Sequence, residues 1–490
     1  MLWLALHFRH LPLEVFTRGT RDPQPLAITS GAETGATIVA ANRPAQTRGV
    51  SAGMNVSAAC ALASGLHTIA RDTAKEHATL ARIAAWSLQF TSLVSIAESG
   101  GLLLEIEGSL KLFGGLNKLH QHIARGIAEL GFNAHIACAP TPLAALWFAR
   151  AGVAVRVQHQ DALRHALEKL PADLVCDTIN TRNLLDSFGA RTLGDCLKLP
   201  RDGLARRAGQ RLLDQLDRAL GMHPDPRLPF VAPQTYAATL PLPAPVAHAD
   251  ALLFAARRLL AELCGWLSAT GHGVQCPRFE FIHEKQLVTV ITLELASASR
   301  DLDHLTTLLR ERLARTELPC AAVEIAIASG RVTPLASRNL AFLPDSASHE
   351  ESSSRFVERL NARLGANTIC GLTPHADYRP ERAWRACRPG APANVNENAI
   401  ASPATVPPFT RPLWLLSTPR PLRETGAAPQ EPDGNPLSLL AGPERIEAGW
   451  WDGQHVARDY FVARNKAQSL LWVYRERDIT ARWYVHGFFS

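Results

Sequence analysis

GGLLLEIEGSLKLFGG, residues Gly100–Gly115, is the stretch on which the reading of this chain turns. Leu102, Leu103 and Leu104 lead into Glu105-Ile106-Glu107, and Gly108 and Ser109 then break the run, so the segment reads as a strand entering a glycine-rich turn. Acids two residues apart share one face of a strand. Carboxylates on a strand beside a buried core are what metal-dependent phosphoryl transfer uses. The stretch therefore marks either half of a metal site or a place where one has been lost.

Working outward, the flanks alternate between strand and helix. Leu2–Phe8 reads as a buried strand, 73–90 carries apolar residues at helical spacing, and Leu102–Ile106 reads as a strand. Helix Asn117–Leu130, strand Ala134–Cys138 and helix Leu143–Ala151 follow. This predicts helices on a mixed or antiparallel sheet. Residues 160–222 read as all-helical, with turns at Gly189 and Pro200. Between 181 and 221 stand eight Arg/Lys and five Asp/Glu, a local net of +3. Residues 235–345 read as a second α+β domain: helix 250–269, strands within 277–296, helix 301–315 and strand 320–328. Pro, Ser, Arg and Ala then accumulate as a linker, and three aromatic β segments close the chain after Gly442.

The global numbers set limits. A length of 490 residues gives a prior of about three domains. The formal charge of +6 permits a nucleic-acid partner without requiring one. Nine scattered cysteines without a CxxC point to reduced thiols rather than disulfides or zinc. No secretory leader or membrane-length apolar run stands out, so a cytoplasmic chain without a membrane partner is expected.

In order and wording, these segments resemble the Y-family translesion DNA polymerases, and more closely their mutagenesis-associated ImuB branch. IVAANRPAQTRGVSAGM is similar to the fingers segment, LLLEIEGSLKLFGG to the palm strand after the catalytic acids, and GFNAHIACAPTPLAALWFAR to the next palm strand and helix. FGARTLGDCLKLP resembles the helix–hairpin–helix thumb, and AGPERIEAGWWDGQHVARDYFVA the branch's C-terminal signature. The resemblance implies an α+β multidomain right hand. Its palm would be 1–20 with 70–160, its fingers 21–69, its thumb 161–230 and its little finger 235–345. A Pro/Ser/Arg-rich linker and extension over 346–440 and a β-rich module over 441–490 would complete it.

The family's chemistry needs one acid on the first strand and an Asp-Glu pair on the later palm strand. Here Leu2–Phe8 holds no acid, and an ungapped match puts Gly100 and Gly101 where the pair should stand; a shifted match keeps Glu98 but sets Ala97 beside it. Glu105 reads as a structural carboxylate. The fingers' Tyr and Arg fall on Arg43 and Gln46, and an expected Lys falls on Pro142, which cannot donate. The expectation is a chain with no catalytic residue, no metal and no cofactor.

DNA contact is expected at the thumb, where Gly189 supplies the turn and Arg191, Lys198, Arg201, Arg206 and Arg207 surround it. A clamp-binding peptide is expected at NLAFL, with Asn339 in the place of Gln and Leu340, Phe342 and Leu343 as anchors. PLWLL (412–416) and PLSLL (436–440) compete with it. The resemblance implies a scaffold in DNA-damage-induced (SOS) mutagenesis. Its partners would be DNA, the sliding clamp (beta subunit), the RecA-like accessory protein ImuA and an error-prone replicative-type DNA polymerase. The rival readings are an active low-fidelity polymerase using Glu98, Glu105 or Glu107, and a sequence-independent DNA-binding protein without those partners.

Overall fold

The computed structural model describes all residues except 19–23, 32–34, 98–99, 177, 285–286, 336–345, 366–367, 388–410, 426–427, 480 and 490. The chain divides into two compact units, Met1–Arg363 and Leu364–Ser490.

The first unit opens with β1 (Trp3–His7) and α1 (Leu11–Thr17). A small subdomain follows, made of β2 (Leu26–Thr29), β3 (Ile38–Ala41), α2 (Arg43–Thr47), α3 (Val56–Leu62) and β4 (His67–Ala70). Next come α4 (Thr73–Ser87), β5 (Val94–Ala97), β6 (Gly101–Glu105), α5 (Leu116–Glu129), β7 (His135–Ala139) and α6 (Pro142–Arg150). The sheet order is β5-β6-β1-β7, and β1 runs antiparallel to both neighbours. Period-two alternation divides its apolar residues between two cores. Trp3, Ala5, Leu103, Ala137 and Ala139 pack with α6, whereas Leu4, Leu6, Leu102 and Leu104 pack with Leu80, Ile83, Leu119 and Ile123 of α4 and α5. The Leu102–Leu104 run is continuous because both faces are covered.

A helical segment follows: α7 (Gln160–Glu168), α8 (Ile179–Ser187), α9 (Leu193–Lys198), α10 (Arg201–Ala208) and α11 (Gln210–Ala219). The second α+β module holds β8 (Ala237–Val246), α12 (Ala249–Thr270), β9 (His272–Val274), β10 (Arg278–His283), β11 (Val288–Thr292), α13 (Leu302–Leu313), β12 (Ala322–Ala328) and β13 (Val332–Pro334). Its main sheet is ordered β11-β10-β12-β8. Phe279, Phe281, Ile325 and Ile327 face α12 and α13 and build its core.

The stretch expected to start a linker at 346 instead begins with a helix, α14 (Ser346–Leu364). Buried Glu358 of α14 accepts the Ala296 amide at 2.7 Å and contacts His304 Nε2 at 2.6 Å, and Ala362 joins the core of the module. The Ser-rich composition hid a helix whose stability comes from its docked face.

The second unit begins with the hairpin β14 (Gly371–Pro374) and β15 (Trp384–Cys387). It continues with β16 (Trp414–Pro421), β17 (Arg423–Thr425), β18 (Ala428–Gln430), β19 (Ser438–Ala448), β20 (Val456–Arg464), β21 (Leu470–Glu476) and β22 (Trp483–Phe488). A five-stranded antiparallel sheet has the order β16-β22-β21-β20-β19, so the β-rich module reaches upstream of 441 and recruits β16 from the expected extension. Trp472 and Trp483 are core residues, while Trp450 and Trp451 are 76% and 55% exposed. The turn carrying them closes on Arg379, which binds Asp377 and Asp452 at 2.7 Å each and lies over the Trp451 ring. Gly449 is required there: its φ is +85°, and a Cβ would run into the Gln454 carbonyl.

Candidate functional site

The place where the family resemblance expects acids is the shared end of β1, β6 and β7. His7 pairs across the sheet with Gly101 on one side and His135 on the other. All three residues belong to the face covered by α6. Gly100 takes φ +76° in the turn. A Cβ built on Gly101 would stand 2.9 Å from the Leu6 carbonyl oxygen and 3.1 Å from Leu146 Cδ1. The position has closed around its glycine, and an acidic side chain would have to move both backbone and Leu146.

The electrostatics are inverted relative to a cation site. Burial is the first cause that holds His7 down at about 4, and Arg150, His135 and Arg9 add to it. Each of these named charges is positive. His10 is lowered in the same way by burial, Arg9 and His135. Among the described residues, Arg9, His135 and Arg150 make no ion pair, and no group of three or more His, Cys, Asp and Glu could hold a metal. Glu98 lies outside the described residues.

The unfolded chain takes up a proton at His7 near the ordinary value of 6.5, while the folded chain does so only near 4. Between those values the unfolded state binds more protons, so stability rises with pH across that window and is unaffected by this group above it. After discounting for partial exposure, His7 accounts for roughly 2 kcal/mol lost on acidification. His7→Gln should flatten the denaturation midpoint between pH 6.5 and 4; an unchanged slope contradicts it.

Glu105 pairs with Trp3 at the far end of the same strand, roughly 13 Å from Gly101 by strand rise, and its Oε1 accepts the Glu107 amide at 3.2 Å. In α2, Arg43 is exposed and Gln46 turns back, donating Nε2 to the Ala41 carbonyl at 2.7 Å. Pro142 is the buried first residue of α6.

At the helix–hairpin–helix, Gly189 adopts φ +70° between α8 and α9. The amides of Arg191 and Thr192, which would serve a phosphate, already donate to Asp195 Oδ2 at 3.3 and 3.1 Å. Thr192 and Asp195 form a capping box. Lys198 lies 3.8 Å from Asp195, and Arg201 is bidentate on buried Asp217 at 2.6 and 3.0 Å. Arg207 stacks over Phe188 at 5.5 Å. Arg191 and Arg206 are exposed and make no ion pair among the described residues. The open face of the second module's sheet carries Arg278, paired with Glu280 at 2.8 Å, and exposed Val288 and Val290. Asn339, Leu340, Phe342 and Leu343 lie outside the described residues. Of the two competing segments, Trp414 and Leu440 sit on strands of the second unit's sheet.

Sequence reasoning missed a polar network inside the first unit. Glu262 of α12, fully buried, pairs with Arg18 at the end of α1 and with Arg82 of α4 at 3.2 Å, and accepts the Tyr236 hydroxyl at 2.8 Å. Burial is the main reason that Arg18 falls to about 9. Beside this network, the Trp86 ring occupies space that a side chain on Gly126 of α5 or Gly265 of α12 would need. Glycines inside two helical patterns were the available signal.

Residues 18–150 match the impB/mucB/samB family, a Y-family polymerase domain. Along its length the chain is similar to Protein ImuB of Caulobacter vibrioides, from strains NA1000 / CB15N and ATCC 19089 / CIP 103742 / CB 15. Each is 26% identical over 476 residues, spanning 90% of this chain and 100% of the relative. Among solved structures, a Y-family DNA polymerase chimera of Dbh and Dpo4 matches at 18% identity and TM-score 0.39, over 68% of this chain and 100% of its own. DinB from Sulfolobus solfataricus matches at 15% and 0.38, over 67% and 98%.

Proposed function

We propose that the chain is a non-catalytic Y-family polymerase homologue that acts as a DNA- and clamp-binding scaffold in DNA-damage-induced mutagenesis and translesion synthesis. The observation that carries this reading is the palm-like sheet end. β1 carries no acid, the resemblance expects a carboxylate where Gly101 opens β6, and the charges that lower His7 beside it are cationic. Two magnesium ions need carboxylates to offset their charge, and arginines repel them. The similarity to ImuB along 90% of the chain supports a mutagenesis role. Its partners are a sliding clamp, a RecA-like accessory protein of the ImuA kind and an error-prone replicative-type polymerase that performs the synthesis, all in the cytoplasm. No helix among the described residues is long and apolar enough to cross a membrane. Several weak contacts on one chain raise local concentration without requiring a new active site.

The scaffold reading expects two separable losses. Replacing Leu340, Phe342 and Leu343 by Ala should abolish binding to the clamp and leave DNA affinity unchanged. Replacing Arg206 and Arg207 by Ala should weaken DNA binding and reduce its salt slope by about 2, leaving the clamp interaction intact. Clamp affinity retained in the triple variant moves the site to Trp414 or Leu439, and a chain that binds neither ligand refutes the scaffold.

A further inference from the structure

We propose that the joined ends of β1, β6 and β7 form a metal-independent site for a phosphate oxyanion, built on His7, Arg9, His135 and Arg150. It goes beyond the scaffold reading, which would stand with nothing bound here. His7 and His135 are directly opposed in register, so their rings share the face covered by α6. On α6, Leu146 packs against Gly101, and Arg150 lies one turn further along the same face. Arg9 follows His7 by two residues in the turn leaving β1.

Three observations point to an anion. Nδ1 of His7 is buried without a hydrogen-bond partner, and such an atom carries a desolvation penalty that a ligand would relieve. Arg9, Arg150 and His135 are exposed and make no ion pair among the described residues. Other arginines of the first unit, among them Arg71 with Glu76 and Arg201 with Asp217, do find carboxylates, whereas Arg9 and Arg150 stand together without one. Gathering unpaired cations costs repulsion, and a bound oxyanion removes that cost through charge-assisted hydrogen bonds. His7 can supply an N–H in its neutral form, and an anion would favour its second proton. The guanidinium groups would then supply directly the positive charge that a polymerase obtains from metal ions.

Binding of inorganic tripolyphosphate to the full chain, followed by calorimetry in EDTA, tests the site. Saturable binding is expected, weakened roughly tenfold or more in Arg9→Ala/Arg150→Ala and retained in Arg9→Lys/Arg150→Lys. His7→Gln should weaken binding and remove its pH dependence. A parallel titration uses a single-stranded oligonucleotide with or without a terminal phosphate. Preference for the phosphorylated strand, lost in the double alanine variant, assigns the oxyanion to a strand end; tripolyphosphate binding alone assigns it to a free polyphosphate. Both arginines are exposed, and an unchanged melting temperature confirms folded variants. No saturable binding of either probe, equal affinity in the double alanine variant, or a requirement for magnesium overturns the proposal.

Discussion

Glu262→Ala is expected to destabilise the first unit by about 3–5 kcal/mol, because it removes one carboxylate from between the buried guanidinium of Arg18 and the half-buried one of Arg82. Glu262 is 0% exposed and Arg18 3%, so water cannot replace the lost partner. Arg18 would keep its 3.1 Å bond from Nε to the Leu130 carbonyl and its position 5.0 Å over the Phe132 ring, but its charge would be unopposed. Tyr236 would lose its acceptor as well. The network joins the first sheet domain, through α1 and α4, to α12 of the second module. Urea denaturation should therefore show a lower midpoint and earlier release of that module. Replacing Arg18 and Glu262 together by Met should recover much of the loss, since an apolar pair of similar volume is often neutral. A cost below about 1 kcal/mol for Glu262→Ala would mean that the network is not closed in solution.

Trp86→Ala is the second large effect, expected at about 3–5 kcal/mol for a large buried ring that leaves a cavity between three helices. Trp86 is 5% exposed and meets Phe90 edge-on at 5.1 Å. The partner substitution makes the test sharper. In an exposed helix, Gly→Ala stabilises by about 1 kcal/mol. At Gly265 a methyl would overlap the indole, so Gly265→Ala should destabilise by about 1–3 kcal/mol through overpacking. Gly265→Ala on a Trp86→Ala background should regain the ordinary sign. Stabilisation by Gly265→Ala alone would show that α4 and α12 do not meet as described.

Much of the fold was legible because strong periodicity survives in a single chain. The expected helix 250–269 is α12 at Ala249–Thr270, and the expected strand Leu102–Ile106 is β6 at Gly101–Glu105. Local patterns that contradict their elements were missed. β8, with its prolines at 241, 243 and 245, is an edge strand that tolerates lost donors, and α14 is held by Glu358 and Ala362 rather than by propensity. The site divides in the same way. That Leu2–Phe8 holds no acid is visible as residue types, but the cationic surroundings of His7 depend on register between segments more than 90 residues apart. Nor could spacing show that Arg201 spends its charge on Asp217 or that Asp195 fills the hairpin amides. Those contacts require the folded chain.

Template-dependent primer extension by the purified chain, with magnesium and separately with manganese, separates a scaffold from a polymerase. No added nucleotide is expected at any enzyme concentration, with DNA binding intact in the same preparation, because β1 holds no acid and Glu105, the one acid of β6, lies at the opposite end from Gly101. Extension that is abolished by Glu98→Ala or Glu105→Ala would contradict this and show that the chain holds a working metal site.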